Sequence, residues 1–265
     1  MSGDDILTAR LANFIELGQA EREAINNLTR ERVRQVGARL DIIREGDLPQ
    51  YVYVLLSGWA YRYKTLEDGR RQIIGFLLPG DMFDISNRFV REMDHTVGTI
   101  TPVRLAELSL ERIEQAIREH PSLAEAVDRH MASAMAVQRE WTVHLARNAV
   151  ERIGNLLCEL FIRLRAVNLT RGNRCDLPIT QADIAEAMGL TAVHVNRTLQ
   201  EMRSEGLIIL KDRVLEIPDL GRLQQAVLFT SSYLHLDLGR DARRAPGTYG
   251  SSPPDRATPF RSRID

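Results

Sequence analysis

The sequence predicts an α+β fold: an antiparallel β-barrel or jelly roll in the N-terminal half, then a long helix, then a winged helix-turn-helix. Three observations carry this. Short apolar runs separated by glycine-bearing turns fill residues 38–108, no Gly or Pro stands between Pro121 and Gly154, and two short amphipathic patterns meet at Gly189.

At the start, Leu7, Leu11, Phe14 and Ile15, then Ala24, Ile25 and Leu28, recur at helical spacing on either side of Leu17-Gly18-Gln19. Two short helices are expected. From Ala38 the period changes to that of strands: Leu40 to Ile43, Tyr51 to Leu56, Trp59 to Lys64, Gln72 to Leu78, Thr96 to Ile100 and Arg104 to Leu108. Glu67-Asp68-Gly69-Arg70 supplies a hairpin turn between two of them. Residues 1–120 are read as the N-terminal helices and barrel, 121–148 as a dimerisation helix, 149–220 as the winged helix-turn-helix, and 221–265 as a short helix and flexible tail.

After Pro121, which suits a first helical turn, Val127, Ala134, Trp141 and Asn148 repeat every seven residues. Leu123, Met131 (or His130), Val137 (or Gln138) and Leu145 (or His144) fall between them. This reads as a coiled-coil seam for a parallel homodimer. A helix packed on its own barrel would show a wider stripe, and both can hold at once, with one side on the barrel and the seam toward a second subunit. Beyond the seam, Ile153, Leu156, Leu157, Leu160, Phe161 and Leu164 form a broad apolar face, and the join at Arg147-Asn148 reads as a hinge.

Thr180 can cap a helix over Gln181–Met188, Gly189 supplies the left-handed turn residue, and a second helix is expected from Thr191 to Ser204. Ile184, Ala185 and Met188 share one face of the first, and Val195, Leu199 and Met202 one face of the second. The second helix then exposes Thr191, Ala192, Val193, His194, Asn196, Arg197 and Gln200 at its N-terminal end, the end that a recognition helix inserts into the major groove of double-stranded DNA. Arg can bridge guanine O6 and N7, Asn or Gln can pair with adenine, and Val or a Thr methyl can meet the thymine methyl. Leu207–Leu210 and Val214–Ile217 complete a wing.

The stretch from Thr180 to Leu210 resembles the C-terminal domain of the Crp/Fnr superfamily of bacterial transcription regulators, and the likeness extends upstream to about residue 10. The resemblance implies that Thr180 and Gln181 touch phosphates and that Val193, His194, Asn196 and Arg197 read bases, Arg197 being the most specific match. The family's commonest recognition helix has Glu where Val193 stands, so a different operator is expected. The spacing of Gly46, Gly58, Gly69 and Gly80 resembles the family's cyclic-nucleotide-binding barrel, which implies a small-molecule effector. RNA polymerase is a further implied partner.

Where cyclic-nucleotide-binding members hold the ribose with Gly-Glu-Leu and the phosphate with Arg-Ser or Arg-Thr, this chain has Asp84-Ile85-Ser86 and Met93-Asp94-His95-Thr96. An Asp repels a phosphate, so the effector is expected not to be cyclic AMP. Arg88 or Arg91 is the alternative phosphate partner. The first cysteine is Cys158, so the N-terminal iron–sulfur cluster of other members has no thiolates to hold it. His95, His120, His130 and His144 read as structural or surface residues rather than haem ligands, no metal-ligand spacing is present, and no cofactor is expected.

At 265 residues, 44% hydrophobic and 27% charged, the chain fits two globular domains. It has no run of 18 apolar residues and no signal-peptide pattern after Met-Ser-Gly-Asp-Asp, so a cytoplasmic protein with no membrane partner is expected. Cys158, in a helix, and Cys175, in a loop, are then free thiols. The net charge is −1, and Ala149–Asp219 holds nine Arg or Lys against ten Asp or Glu. Phosphate attraction must therefore come from local placement of Arg197, Arg203, Lys211 and Arg213. No GxSxG, P-loop or Rossmann fingerprint is present, so no enzyme is expected. The alternative class is a nucleotide-sensing module whose helix pair contacts protein rather than DNA; it would be indifferent to Arg197→Ala.

Overall fold

The structure, a computed structural model, describes residues 5–85 and 91–236. Ser86, Arg88 and the expected tail beyond Leu236 lie outside the described residues. Two helices, α1 (Ile6–Leu11) and α2 (Gln19–Glu31), precede eight barrel strands: β1 (Val33–Val36), β2 (Asp41–Ile43), β3 (Tyr51–Ser57), β4 (Ala60–Thr65), β5 (Arg71–Leu77), β6 (Met82–Phe83), β7 (Thr96–Thr99) and β8 (Val103–Ser109). Helices α3 (Leu110–Glu119), α4 (Pro121–Val143) and α5 (Ala149–Ala166) follow.

The strands form two antiparallel four-stranded sheets, ordered β1-β8-β3-β6 and β2-β7-β4-β5, packed as a jelly roll. Between them Tyr53, Leu55, Phe83, Val97 and Leu105 form the inner core. The alternate residues of β3, Val52, Val54 and Leu56, turn outward onto α1, α2, α3 and α4. Burial on both faces explains why β3 reads as an unbroken apolar run. The other sheet is covered on its outside by the C-terminal half: Trp59, Tyr61, Ile73 and Phe76 share one core with α5 and the helices beyond it. At Gly58 (φ 86) an added Cβ would collide with the Pro102 carbonyl and Val103, so only glycine closes that turn.

Two barrel strands escaped the sequence pattern. β1 alternates exposed and half-buried residues on a sheet edge, and β6 is two residues long.

Part of the expected seam on the long helix also serves the chain's own fold, while Ala134, Leu145 and Asn148 of it stay exposed. Leu123 and Val127 are buried, and Val137 and Trp141 are half-buried against the chain's own core, while Met135 (61% exposed) and Leu145 (80%) face outward. The buried set Leu123, Ala126, Val127, His130, Ser133 and Ala136 is the wide stripe of a helix laid on its own barrel. Regular α-helix ends at Val143; a 3-10 turn over His144–Ala146 leads to extended Arg147, and Asn148 caps α5 in a capping box with Glu151.

A buried ionic chain ties the halves together. Arg163 of α5 donates to Asp81 at 2.6 Å and to Glu159 at 2.9 Å, and Arg10 of α1 lies 2.8 Å from the other Asp81 oxygen. Trp141 and Tyr233 donate to Glu159. Burial alone would raise the pKa of Asp81, but Arg163 and Arg10 bring it down to about 2. Burial raises that of Glu159.

Candidate nucleic-acid interface

The C-terminal domain adds β9 (Thr170–Arg171), β10 (Arg174–Asp176), α6 (Gln181–Met188), α7 (Ala192–Ser204), β11 (Ile209–Lys211), β12 (Val214–Glu216) and α8 (Leu220–Ala226). The wing hairpin turns through Asp212 (φ 51) and Arg213 (φ 61), the paired positive values of a tight two-residue hairpin. It extends into a sheet ordered β11-β12-β10-β9, in which Cys175 faces Leu215. Cys175 is thus in a strand and not in a loop. Its period was too short to read. Both cysteines are free and buried, and burial pushes each thiol up to about 12.

The caps read from sequence are in place. Thr180 accepts from the Asp183 N–H at 3.1 Å, and the Asp183 carboxylate accepts from the Thr180 N–H at 2.8 Å, a reciprocal capping box. Gly189 is left-handed (φ 64, ψ 39) and turns the chain between α6 and α7. Thr191 caps α7 by accepting from the His194 N–H at 3.2 Å. Val195, Leu199 and Met202 are fully buried with Ile184, Ala185 and Met188 of α6. The two helices are one packed unit.

What α7 turns outward is its first two turns. Val193 is 81% exposed, Thr191, Arg197 and Gln200 are exposed, and His194 and Asn196 are half-buried. Asn196 donates from Nδ2 to Oε1 of the exposed Gln181 at 3.1 Å, which joins the expected phosphate-touching and base-reading residues across the two helices. Arg197 makes no hydrogen bond or ion pair among the described residues, so its five N–H donors point to solvent. Arg203, Lys211 and Arg213 are exposed as well, but Arg213 lines a groove with Ser57, Gly58 and Thr101 of the barrel.

The barrel's polar site is built differently. Asp84 is buried in the left-handed region (φ 61); His95 Nε2 lies 3.5 Å from its Oδ1, and Arg62 Nε lies 4.0 Å away. The other His95 nitrogen, Nδ1, lies 2.7 Å from the Asp94 carboxylate. Burial opposes charge on His95, but the bonds to Asp84 and Asp94 outweigh it and raise the imidazole's pKa. Both ring nitrogens thus face carboxylates, and Arg91 is exposed. His130 is buried against the Met82 carbonyl, and burial drives His144 down to about 4. Among the described residues no group of three His, Cys, Asp or Glu is arranged to hold a metal, and no helix is long and apolar enough to cross a membrane.

Comparison with known proteins gives two family matches, a cyclic nucleotide-binding domain over residues 33–120 and a Crp-like helix-turn-helix domain over residues 151–226. The transcriptional activatory protein AadR of Rhodopseudomonas palustris is 31% identical over 201 residues, covering 74% of this chain and 80% of its own. The nitrogen fixation regulation protein FixK of Rhizobium meliloti is 32% identical over 181 residues, covering 67% and 78%. Among solved structures, FixK2 from Bradyrhizobium japonicum superposes with a TM-score of 0.65 at 24% identity, covering 73% of this chain and 96% of that one, a likeness of fold. With an exposed recognition turn on a capped helix pair behind a jelly roll, and with these relatives, the chain belongs to the Crp/Fnr family and is a DNA-binding transcription regulator, not an enzyme.

Proposed function

We propose that the protein binds a palindromic operator as a homodimer, in the cytoplasm, and couples that binding to a small-molecule effector of the barrel and to RNA polymerase. In this reading Thr180 and Gln181 touch the phosphate backbone, and Thr191, Val193, His194, Asn196 and Arg197 face base edges. The observation that carries it is the recognition turn itself: an Arg197 with no partner among the described residues and an 81% exposed Val193, on a helix otherwise fixed by full burial of Val195, Leu199 and Met202.

The dimer contact falls on the outer face of α4 and the turn after it. Ala132, Met135, Val143 and Leu145 are exposed there, an apolar line that single-chain folding does not bury. Two recognition helices related by a two-fold axis meet half-sites about one helical turn apart. The join at Arg147-Asn148 is the hinge of this reading, bracketed by the Arg147 bonds to Glu140 and Asn155.

The effector is not a cyclic nucleotide in this reading. Asp94 and His95 stand where a cyclic phosphate needs Arg and a hydroxyl, and the buried Asp84 carboxylate adds repulsion. The test is selection of bound duplexes from a random-sequence pool by the full-length protein, followed by affinity measurement with Arg197→Ala. A two-fold-symmetric motif, and a loss of about 1–3 kcal/mol for the variant, are expected. Binding indifferent to Arg197→Ala would assign the helix pair to a protein partner instead.

A further inference from the structure

The first helix of the reading domain is held to the barrel by side chains that its own folding does not require. Arg39, in the turn between β1 and β2, meets Asp183 with both guanidinium nitrogens, Nη1 to Oδ1 at 2.8 Å and Nη2 to Oδ2 at 2.9 Å. Arg71, the first residue of β5, donates from Nε to Glu186 at 2.6 Å and from Nη1 to the Tyr61 hydroxyl at 2.6 Å. Gln72 donates to the Ala187 carbonyl at 3.3 Å. Residues 183, 186 and 187 are spaced three and four apart on one face of α6, so the barrel grips the helix along a single line.

Beneath this line Tyr61 and Ile73 share an apolar core with Met188. Apolar burial is non-directional and holds two surfaces together without fixing how they are rotated. A bidentate Arg–carboxylate pair is planar and does fix rotation. The helix it fixes, α6, is packed on α7 and bonded to it through Gln181 and Asn196, so the pose of α6 is also the pose of the recognition turn.

We propose that Arg39 and Arg71 are positioning residues for DNA reading: the barrel sets the angle of the recognition helix through this clasp on α6. The route runs sideways from sheet to helix and is separate from the one along α4 and Asn148. Its consequence for half-site spacing rests on the two-fold operator reading above; its consequence for domain pose does not.

The experiment uses full-length protein spin-labelled at Glu67→Cys and Gln200→Cys, both exposed, while Cys158 and Cys175 are buried and escape labelling. With the labelled protein diluted into an excess of unlabelled protein, so that a dimer carries one labelled chain, pulsed dipolar spectroscopy should give one narrow distance for the parent and a broad distribution for Arg39→Ala/Arg71→Ala. Arg71→Glu should broaden it, and Arg71→Glu with Glu186→Arg should narrow it again; these two side chains are each 31% exposed. On duplexes selected by the parent, changing the half-site spacing by one base pair should cost the parent about tenfold in affinity and the clasp variants much less, with affinity for a single half-site unchanged. An unchanged narrow distance in the double alanine variant overturns the proposal, as does loss of single-half-site affinity in the charge-exchanged variant. If no symmetric duplex is selected, the two-fold reading fails and the distances alone decide the clasp.

Discussion

The recognition turn and the barrel's polar pole are both rich in hydrogen-bonding side chains, and they are finished in opposite ways. In the turn, Arg197 has no partner among the described residues and the apolar Val193 faces solvent. In the barrel, Asp84 is paired by charge with His95 at 3.5 Å and Arg62 at 4.0 Å, and His95 is hydrogen-bonded through Nδ1 to Asp94 at 2.7 Å, although Asp84 Oδ2 and His95 Nε2 make no hydrogen bond among the described residues. The ionic chain through Asp81, Arg163 and Glu159 is more closed still. A surface built to meet another molecule leaves its donors unsatisfied until the partner arrives, whereas an interior cluster satisfies itself or costs stability. Breaking the two kinds should therefore be felt in different measurements.

The largest effect belongs to the closed chain. Arg163→Met leaves the buried Glu159 carboxylate without a cation and Asp81 with Arg10 alone, and is expected to cost about 3–5 kcal/mol of folding stability, read from the denaturant midpoint. A wild-type midpoint in that variant would break the comparison. Arg197→Ala is its mirror image: about 1–3 kcal/mol lost in operator affinity, with stability moving by no more than about 0.5 kcal/mol.

Thr180→Ala sits between the two, since its hydroxyl caps α6 and faces the expected phosphate. About 1 kcal/mol of stability should go, together with a smaller part of the affinity and part of its salt dependence.

The smallest effect is a pH dependence. His95 has its folded pKa raised, so the stability it contributes is present in full below the ordinary imidazole range and is lost as pH rises through the folded value. The difference in melting temperature between wild type and His95→Gln should thus be widest in mild acid and shrink toward alkaline pH. A difference that grows with pH would show that His95 is held neutral.

Much of the reading domain was legible because its signals are local. Thr180, Gly189 and Thr191 act within three or four residues of themselves, and the buried faces of α6 and α7 follow a period that any window of a dozen residues contains. The barrel was legible as a set of strands, but β1 and β6 were not, nor were β9 and β10 of the reading domain, each being only two to four residues long. The long helix stayed ambiguous by its heptad, because Val127 and Trp141 fit a partner's seam and the chain's own core equally well by spacing.

The sequence by itself determined the architecture, the family and the recognition turn, since caps, turns and apolar periods are written in neighbouring residues. Tertiary structure alone decided which face of α4 is buried, that His95 bridges two carboxylates, and that Arg39 meets Asp183 across 144 residues of chain. Charged side chains carry no period that names their partner; only the packing of one sheet against one helix brings these together, and the Coulombic gain then depends on distance and burial that the chain acquires when it folds.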